Sequence, residues 1–464
     1  MVLYFHRFSG SLTAHVTQKS VGSTIFIKTA ALRALAVKIR GAKQEVLWVL
    51  LGQGVTFLGG LVGVKVLTNV MSQEAYGQLA LGMTVAGLMN MFVFGPLGQV
   101  ILRYYSVSRD LGEQEAYFAV LARVHRRLIP LVVGVGAIGA TAAFLIAGAN
   151  WAWLIGMAVA FSLISGLLGS VQSVLSAARE RRRLALSQSA DVWCRLAMAM
   201  VLVVTIGYEG FWALAGYCIG SLGVLCIQYK SLWRLLAPAG NEVVAKDAKI
   251  RYAESFRRFS LPFVAWAGMA AVSQYADRWL LQGIGGSNWV GAYAALYQIA
   301  SAPIGVLGAF VNQLIIPVVF ARAGALTNQG QVDASRSLLS ATQLVVTIVF
   351  FVATVMAFVW GEPVVRWLTN AEYAGHSHVL WLMVLGLSIF TLGQLLSVEG
   401  LSRNRSGIYI WPKAAQAVAL IVLGYPLASS FGLGGMAAAL TGASGLYYLL
   451  VKRANTTLRN SKLD

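Results

Sequence analysis

The chain has 464 residues, of which 58% are hydrophobic and only 11% are charged. Soluble domains carry about 25% charged residues, so this composition excludes a water-soluble protein of ordinary make-up. A formal net charge of +19 suggests a nucleic-acid partner, unless the positions of the basic residues explain the charge in another way. The three cysteines lie in apolar stretches without metal-ligand spacing and the five histidines are scattered, which argues against a disulfide scaffold or a zinc site. The composition predicts an integral membrane protein of the all-α, polytopic class.

The first predicted element is a basic N-terminal arm, residues 1–45. Residues 25–39 are apolar but are interrupted by Lys28, Arg33 and Lys38, and no small-residue cleavage site follows, which disfavours a secretory signal. The pattern suits an amphipathic helix lying on the inner leaflet. A poorly ordered arm is the alternative.

Twelve transmembrane helices are predicted after the arm, since about 20 mostly apolar residues are needed to cross a bilayer. Asp191 and Arg195 interrupt the start of the fifth, so ten or eleven helices remain open. The predicted spans are residues 46–67, 78–101, 128–148, 151–174, 191–208, 211–232, 259–282, 289–316, 338–360, 379–399, 408–428 and 432–452.

Basic residues concentrate in alternate connections between these spans. Examples are Arg103 to Arg127, Arg179 to Arg183 and Lys230 to Arg258, whereas the opposite loops hold Glu74, Glu209, Glu362 and Glu372. By the positive-inside rule this predicts that both termini are cytoplasmic. The net charge is then explained by topology, and no nucleic-acid partner is expected.

An internal repeat divides the chain into halves. Lys65 near the end of the first span is followed 12 residues later by Gly77, and Arg278 in the seventh is followed 13 residues later by Gly291. Such repeats are common in transporters. The predicted layout is a six-helix lobe at 46–233, a cytoplasmic linker at 234–258, a second six-helix lobe at 259–454 and a cytoplasmic tail at 455–464. The two bundles would be related by a pseudo-two-fold axis along the membrane normal.

Several loose motifs then appear in a familiar order. They are Gly52-Gln-Gly54, Met71-Ser-Gln-Glu-Ala-Tyr-Gly-Gln-Leu79, Gly95-Pro-Leu-Gly98 before Arg103-Tyr104, Phe259-Ser-Leu-Pro262, Asp277-Arg278 and Val290-Gly-Ala-Tyr293. In this order the chain resembles the multidrug/oligosaccharidyl-lipid/polysaccharide exporter superfamily, and within it the polysaccharide repeat-unit flippases, over about residues 46–455. Lys65 departs from the arginine often found in relatives, which keeps the charge but loses the bidentate fork.

The resemblance implies a flippase of the bacterial inner membrane. Its substrate would be an oligosaccharide on undecaprenyl pyrophosphate, destined for O-antigen or exopolysaccharide, and it would work among membrane lipids beside a polysaccharide polymerase and glycosyltransferases. An ion-coupled multidrug or cation antiporter of the same superfamily is one alternative. A membrane-embedded sugar polymerase or glycosyltransferase is another, disfavoured because the longest outward loop, 361–378, is too short for a catalytic domain. No phosphate-binding loop of the Gly-x-x-x-x-Gly-Lys type occurs, and no cofactor is expected.

Four charged residues break the topological pattern. A charged side chain within the membrane costs about 2.5–3.5 kcal/mol on insertion scales and is a functional hypothesis by default. Lys65 would bind phosphate as a point charge or snorkel to the headgroups. Arg278 would hold an anionic substrate while Asp277 tunes it or binds a coupling cation, unless the pair only locks two helices. Glu399 is expected to pair with Arg403 or Arg405.

Three further residues complete the predicted substrate site. Arg103, at the inner end of the second span, would contact incoming phosphate or serve as a plain positive-inside anchor. Gln53 and Asn312 would line a sugar-binding cavity or act as interhelical hydrogen-bonding groups, which contribute about 0.6 kcal/mol each.

Overall fold

A computed structural model describes residues 47–228, 246–316, 329–403 and 405–460, together with 230, 231, 233, 318 and 319. The predicted N-terminal arm and residues 234–245 of the predicted linker lie outside the described residues. Every regular element within the described ranges is a helix, which confirms the all-α class.

The principal helices are α1 (Leu47–Val70), α2 (Gln73–Asp110), α3 (Gln114–Ala147), α4 (Ala149–Ala177), α5 (Arg181–Thr205), α6 (Gly210–Ile227), α7 (Lys246–Phe310), α8 (Gln329–Leu368), α9 (Leu380–Ser402) and α10 (Ile410–Asn460). The first six, α1 to α6, are joined by connections of one to four residues. Ten helices in the described part of the chain are long and apolar enough to cross a membrane, against twelve predicted.

The difference in number lies in α7 and α10, which contain 65 and 51 residues. Each is interrupted by one glycine in the left-handed region, Gly286 with φ 71° and Gly432 with φ 59°, where a residue with Cβ is disfavoured. Tyr293 donates a hydrogen bond to Asp277 at 2.9 Å, although 16 residues of straight helix would separate them by about 24 Å. The chain therefore reverses at Gly286, and α7 is a hairpin of two arms.

The same reasoning applies to α10. A Cβ placed on Gly442 would lie 3.5 Å from the side chain of Leu423, whereas 19 residues of straight helix would separate the two by about 28 Å. The two arms of α10 therefore also pack side by side. Trp289, just after the turn of α7, packs against Gly432, so the turns of the two hairpins meet.

The two halves of the chain share one hydrophobic core. Buried residues of α1, α2 and α6, such as Leu67 and Leu214, belong to the same cluster as Leu281 and Leu296 of α7 and Met383 of α9. All five are less than 2% exposed. Removing this apolar surface from water or lipid and close-packing it favours a single preferred arrangement of the halves.

The two glycines of the sequence repeat bring the backbones of the two halves very close together. A Cβ on Gly77 would strike the carbonyl of Ser287, and a Cβ on Gly291 would strike the carbonyl of Gln73. The partner carbonyl lies four residues before the partner glycine in both cases, so the contact is reciprocal, as in an isologous interface. It lies at the end of the helices opposite the basic connections, which is called here the outer end.

At the other end, called the basic end, the start of α7 packs on the first half. Arg251 donates a hydrogen bond to Glu113 at 2.6 Å, and the hydroxyl of Tyr252 donates to the same carboxylate at 3.0 Å. The bond from Arg251 holds the pKa of Glu113 below its usual range. Rings of Tyr104, Tyr117, Tyr252, Phe256 and Phe259 stack edge-on beside it. Part of the predicted linker is therefore a docked helical segment.

Within the described ranges, each half also contains one π-helical turn in a helix that starts near the reciprocal contact. The first is Asn90–Phe94 in α2, and the second is Val311–Ile315 directly after the second arm of α7. Asn90 donates hydrogen bonds to the carbonyl of Ala86 at 3.1 Å and to Ser165 at 3.1 Å, which holds the wider turn against α4. π turns are places where helices bend.

We expect Gly77→Val to loosen the outer contact, because overpacking a tight site costs about 1–3 kcal/mol and about 1.4 kcal/mol is a tenfold change in an equilibrium. In a background lacking Cys194, Cys218 and Cys226, a cysteine replacing the buried Ser287 should react about tenfold faster with a water-soluble maleimide when Gly77→Val is present. Gly283→Ala is the control, because an added Cβ there meets no heavy atom within 4 Å. Equal rates in both variants would contradict the assigned contact.

Candidate functional site

A cavity of about 430 Å³ lies between the two halves, near the outer contact. It is bounded by α1, α2, α5, α6 and both arms of α7. Its wall at the outer end includes Tyr76, which is next to the glycine contact. Its volume falls within the range of small-molecule sites. Two cations line it, Arg195 from α5 and Arg278 from α7.

Arg278 is held from three directions. Its side chain is 13% exposed, donates to the carbonyl of Gln274 at 2.8 Å and lies 4.7 Å from the centre of the Tyr297 ring. The carboxylate of Asp277 lies 3.5 Å away and accepts the backbone N–H of Arg278 at 2.8 Å. Tyr293 completes the cluster by donating to the other oxygen of Asp277. The predicted Asp277–Arg278 pair is thus a built cluster bridging both arms of α7.

Arg195 has a parallel arrangement in the first half. It forms an ion pair of 2.6 Å with Asp191 one helical turn earlier, and its side chain is 20% exposed. Ser221 of α6 donates to Asp191 at 2.6 Å. The guanidinium lies 5.6 Å from the centre of the Phe161 ring and 5.9 Å from that of Tyr217. Charge pairing and ring contacts together offset the desolvation of the guanidinium.

The carboxylates do not face the cavity. Arg195 and Arg278 line it, whereas Asp191 and Asp277 are absent from its wall and are 8% and 2% exposed. Each carboxylate is occupied by a hydroxyl donor in addition to its arginine. The surface presented to a ligand is therefore cationic, with the tyrosines Tyr76, Tyr217 and Tyr275 beside it. Such a surface suits a phosphate or another anion, since arginine presents a planar fork of donors.

A second cavity of about 620 Å³ lies inside the second half, towards the basic end. Its polar side chains are Gln274, Asn312, Thr391, Gln394, Ser397 and Lys413, and its rings include Trp266, Phe263, Tyr409 and Tyr447. Gln274 stands one helical turn before Arg278 on α7 and also accepts the hydrogen bond of Arg278 through its carbonyl. The two cavities are therefore neighbours along the same helix arm. The predicted Asn312 lines the second cavity, not the first.

Lys65 lies at the outer end of α1. Its ammonium donates to the carbonyl of Trp367 at 2.6 Å and lies 4.9 Å from the centre of that ring. Asn370 donates to the carbonyl of Thr68 at 2.8 Å. Lys65 is not among the residues that line either cavity. The lysine therefore joins the outer ends of α1 and α8, alongside the glycine contact.

The remaining predicted residues lie apart from these groups. Arg103 is exposed at the basic end, and Gln53 is half-buried on α1 without lining either cavity. Glu399 is 4% exposed and pairs with Arg403 at 3.3 Å, the expected pairing. The structure thus brings Asp277 and Arg278 together at the first cavity and places Asn312 in the wall of the second. Lys65, Arg103 and Gln53 line neither cavity. Within the described residues, no group of three or more His, Cys, Asp or Glu side chains could hold a metal ion.

Two cations in the cavity walls were not singled out from the sequence. In the sequence Arg195 stands out only as an interruption at the start of the fifth predicted span, although its spacing of four residues from Asp191 already predicts a helical ion pair. Lys413 follows Arg403 and Arg405 in the sequence, and its position alone assigns it to the loop residues of the basic end, yet it is 3% exposed inside the second half. A charge count per loop cannot separate a loop lysine from one in the first turn of the next helix.

Comparisons with known proteins agree with this architecture. A lipid II flippase MurJ in an inward closed conformation matches with 14% sequence identity and a TM-score of 0.67, covering 89% of this chain and 87% of that one. An outward-facing multidrug resistance MATE transporter of the MOP superfamily matches at 12% identity and a TM-score of 0.61, covering 89% and 95%. The Vibrio cholerae MATE transporter VcmN matches at 14% identity and 0.58, covering 90% and 97%. No match was found among curated protein sequences.

The class of protein follows from the fold and these likenesses. It is a multi-pass membrane protein with the transporter fold of the MOP superfamily, as the sequence motifs implied. A family model described as "Polysaccharide biosynthesis protein" matches residues 42–322, more than half of the chain. The chain belongs to this polysaccharide biosynthesis family.

We expect Asp277 and Tyr293 to contribute to stability as a unit. Replacing Asp277 with Asn leaves Arg278 buried without its charge partner, and breaking a buried pair costs about 3–5 kcal/mol. Tyr293→Phe should cost less alone, and the two changes should couple by about 0.5–3 kcal/mol because the groups share a hydrogen bond. Thermal unfolding of the detergent-purified full chain measures all three variants. Tyr425→Phe, at a 61% exposed tyrosine, is the control, and strictly additive effects would contradict the cluster.

Proposed function

We propose that this protein is a flippase that moves an oligosaccharide repeat unit, carried on undecaprenyl pyrophosphate, across the bacterial inner membrane for polysaccharide export. The observation that carries the proposal is the cavity in which Arg195 and Arg278, from different halves, face the same space. Membership of the polysaccharide biosynthesis family supports a glycan substrate. The likeness to a lipid II flippase supports this mode of transport.

The chemistry of the cavity suits a pyrophosphate. Two guanidinium groups can each bind one phosphate bidentately, and the aspartates behind them keep the forks oriented while leaving the exposed surface cationic. Phosphate bound between α5 and α7 would hold both halves at once. The glycan would then occupy the polar and aromatic surfaces nearby, and the lipid tail would stay in the hydrocarbon outside.

Alternating access would use the outer contact as one gate. In this structure the halves touch at the outer end through Gly77 and Gly291, beside the link from Lys65 to Trp367. Opening that end would break these contacts together. The lysine then contributes to closure, and its effect on transport is through the gate rather than through phosphate.

The proposed topology keeps the expectations from the sequence. If both arms of the α7 and α10 hairpins cross the membrane, the ten helices give twelve crossings in two six-helix lobes, 46–233 and 259–454, with a pseudo-two-fold axis along the membrane normal. The reciprocal glycine contact is what such an axis would produce. The basic end is proposed to be cytoplasmic, with both termini on that side.

The alternatives fit the cavity less well. A cation antiporter needs carboxylates that face the ligand, whereas Asp191 and Asp277 lie behind arginines. A polymerase or glycosyltransferase needs catalytic groups, whereas the similar solved structures are transporters. Glycosyltransferases are proposed to be partners that act before this protein, and the polysaccharide polymerase is proposed to be a partner that acts after it.

Arg195→Ala and Arg278→Ala should each reduce export at least tenfold, because each removes a charge-assisted contact of about 1.5–3 kcal/mol. The measurement is the amount of surface glycan in cells that carry each variant in place of the wild type, with extraction of lipid-linked sugars from inner-membrane vesicles. Complete repeat units should accumulate on the inner leaflet. Arg258→Ala is the control, because that arginine is on α7 and its side chain is 76% exposed.

Unpolymerised repeat units on the outer leaflet would point to a polymerase instead. The antiporter would be favoured if wild-type cells resist cationic dyes and if both arginine variants lose this resistance while their amount of surface glycan stays normal.

Lys65→Ala should lower export while leaving binding of a lipid pyrophosphate intact, because Lys65 contacts Trp367 and not the cavity. Lys65→Arg should retain export, since a guanidinium can also donate to a carbonyl and lie over a ring. Binding of farnesyl pyrophosphate to the purified protein separates the two effects. A loss of binding in Lys65→Ala equal to that in Arg278→Ala would assign the lysine to the substrate site.

A further inference from the structure

The cavity inside the second half contains a buried cation that has no carboxylate partner among the described residues. Lys413 is 3% exposed, and its ammonium donates to the side-chain oxygen of Gln416 at 2.9 Å. It lies 4.3 Å from the centre of the Phe390 ring and 5.5 Å from that of Tyr447. Among the described residues, no ion pair joins Lys413 to Asp or Glu, whereas Arg195 and Arg278 each have an aspartate.

This contrast indicates that a counter-ion is supplied from outside the chain. Buried charges are paired as a rule, because desolvating one without compensation is expensive. Ring faces and one amide oxygen offset part of that loss, but an ammonium has three donors and only one has an oxygen partner here. Lys413 belongs to the wall of the cavity, so its remaining donors are available to a ligand there.

The other walls of the cavity define what kind of anion fits. Gln394 and Asn312 supply amide groups, and Trp266 and Phe263 supply aromatic rings. Amides and aromatic faces together suit a sugar ring, and a volume of about 620 Å³ is within the range for ligands larger than one ring. A simple inorganic ion would leave most of this lining unused.

We infer that this cavity binds a sugar bearing a carboxylate or phosphate, and that Lys413 binds the acidic group. The inference rests on the proposed flippase function and specifies its substrate: a repeat unit with an acidic sugar. Gln274 of the cavity wall precedes Arg278 by one helical turn. One ligand can therefore place its pyrophosphate at the arginines and its acidic sugar beside Lys413.

The test uses the detergent-purified full chain and two synthetic probes. Both are citronellyl pyrophosphate-linked disaccharides, one ending in glucuronate and one in glucose. The wild type should bind the glucuronate probe at least tenfold more tightly, and Lys413→Met should abolish this preference while retaining affinity for the glucose probe. Lys413→Arg should preserve the preference. Lys452→Met, an exposed lysine on the same helix, should behave as the wild type.

The outcomes separate this inference from the proposed function. Arg278→Ala should weaken both probes equally, and failure of that result would count against the flippase assignment itself. Equal affinity of the wild type for both probes, with Arg278 still required, would overturn the role of Lys413 alone. Inorganic phosphate that binds the wild type but not Lys413→Met, and that does not compete with the glucuronate probe, would show a site for free anions and would also overturn it.

Should Lys413→Met fail to fold, the arginine variant and a second neutral variant, Lys413→Gln, keep the comparison decisive. Glutamine can bond Gln416 but carries no charge. A glucuronate preference that persists in Lys413→Gln would contradict the inference.

Discussion

Two stretches of bare backbone hold the halves of this protein together at the outer end. Gly77 and Gly291 lie so close that a methyl group on either would overlap a carbonyl of the other half. Their neighbours build the cavity: Tyr76 lines it, and Tyr293 reaches back to Asp277, which in turn orients Arg278. The contact that closes the outer end and the group that faces the ligand are thus connected through Tyr293 of the second arm of α7 and Asp277 of its first arm. A movement of the glycine contact necessarily moves a hydrogen-bonding partner of the cluster.

The buried charges follow a consistent physical pattern. Arg195 and Arg278 are each compensated by an aspartate that lies behind them and is itself fixed by a hydroxyl. A ligand then meets cations that need no rearrangement, which favours binding because the cost of ordering is already met in folding. The same aspartates reduce the net charge within the apolar core, so the protein can carry two arginines there without two uncompensated ions.

Much of the fold and part of the site could be predicted from the sequence. Hydropathy and the distribution of arginine and lysine were enough for the class. The matching spacings from Lys65 to Gly77 and from Arg278 to Gly291 indicated an internal repeat, but the contact between the two glycines was not predicted. Asp277 and Arg278 could be singled out because charged residues are costly in an apolar span and are kept there mainly for a functional or pairing role. Two of the twelve predicted helices do not appear as separate elements. Gly286 and Gly432 make reversals so tight that helical hydrogen bonding continues on both sides of each turn, and α7 and α10 each contain two arms.

The site residues that escaped prediction did so for identifiable reasons. Lys413 is three residues into a helix, and no linear pattern distinguishes its buried face from a loop. Whether Lys65 faces a cavity or an interface depends on Trp367, more than 300 residues away in the chain. The pairing of two distant helices is a tertiary property, and a single sequence contains no direct record of it.

The π turns at Asn90–Phe94 and Val311–Ile315 have a consequence for how such a protein tolerates change. A π turn contains one residue more than an α turn, so each accommodates a single extra residue without shifting the register of the helix on both sides. Counted along the sequence, every later position is therefore about 100° away from the face that an uninterrupted α-helix would give it. The residues of α2 beyond Phe94 therefore lie on different faces of the helix from those that simple periodicity would assign. Deletion of one residue within Asn90–Phe94 would turn the π turn into an ordinary α turn and leave the residues on both sides on the faces they now have, whereas the same deletion elsewhere in α2 would rotate every residue on one side of it by about 100°.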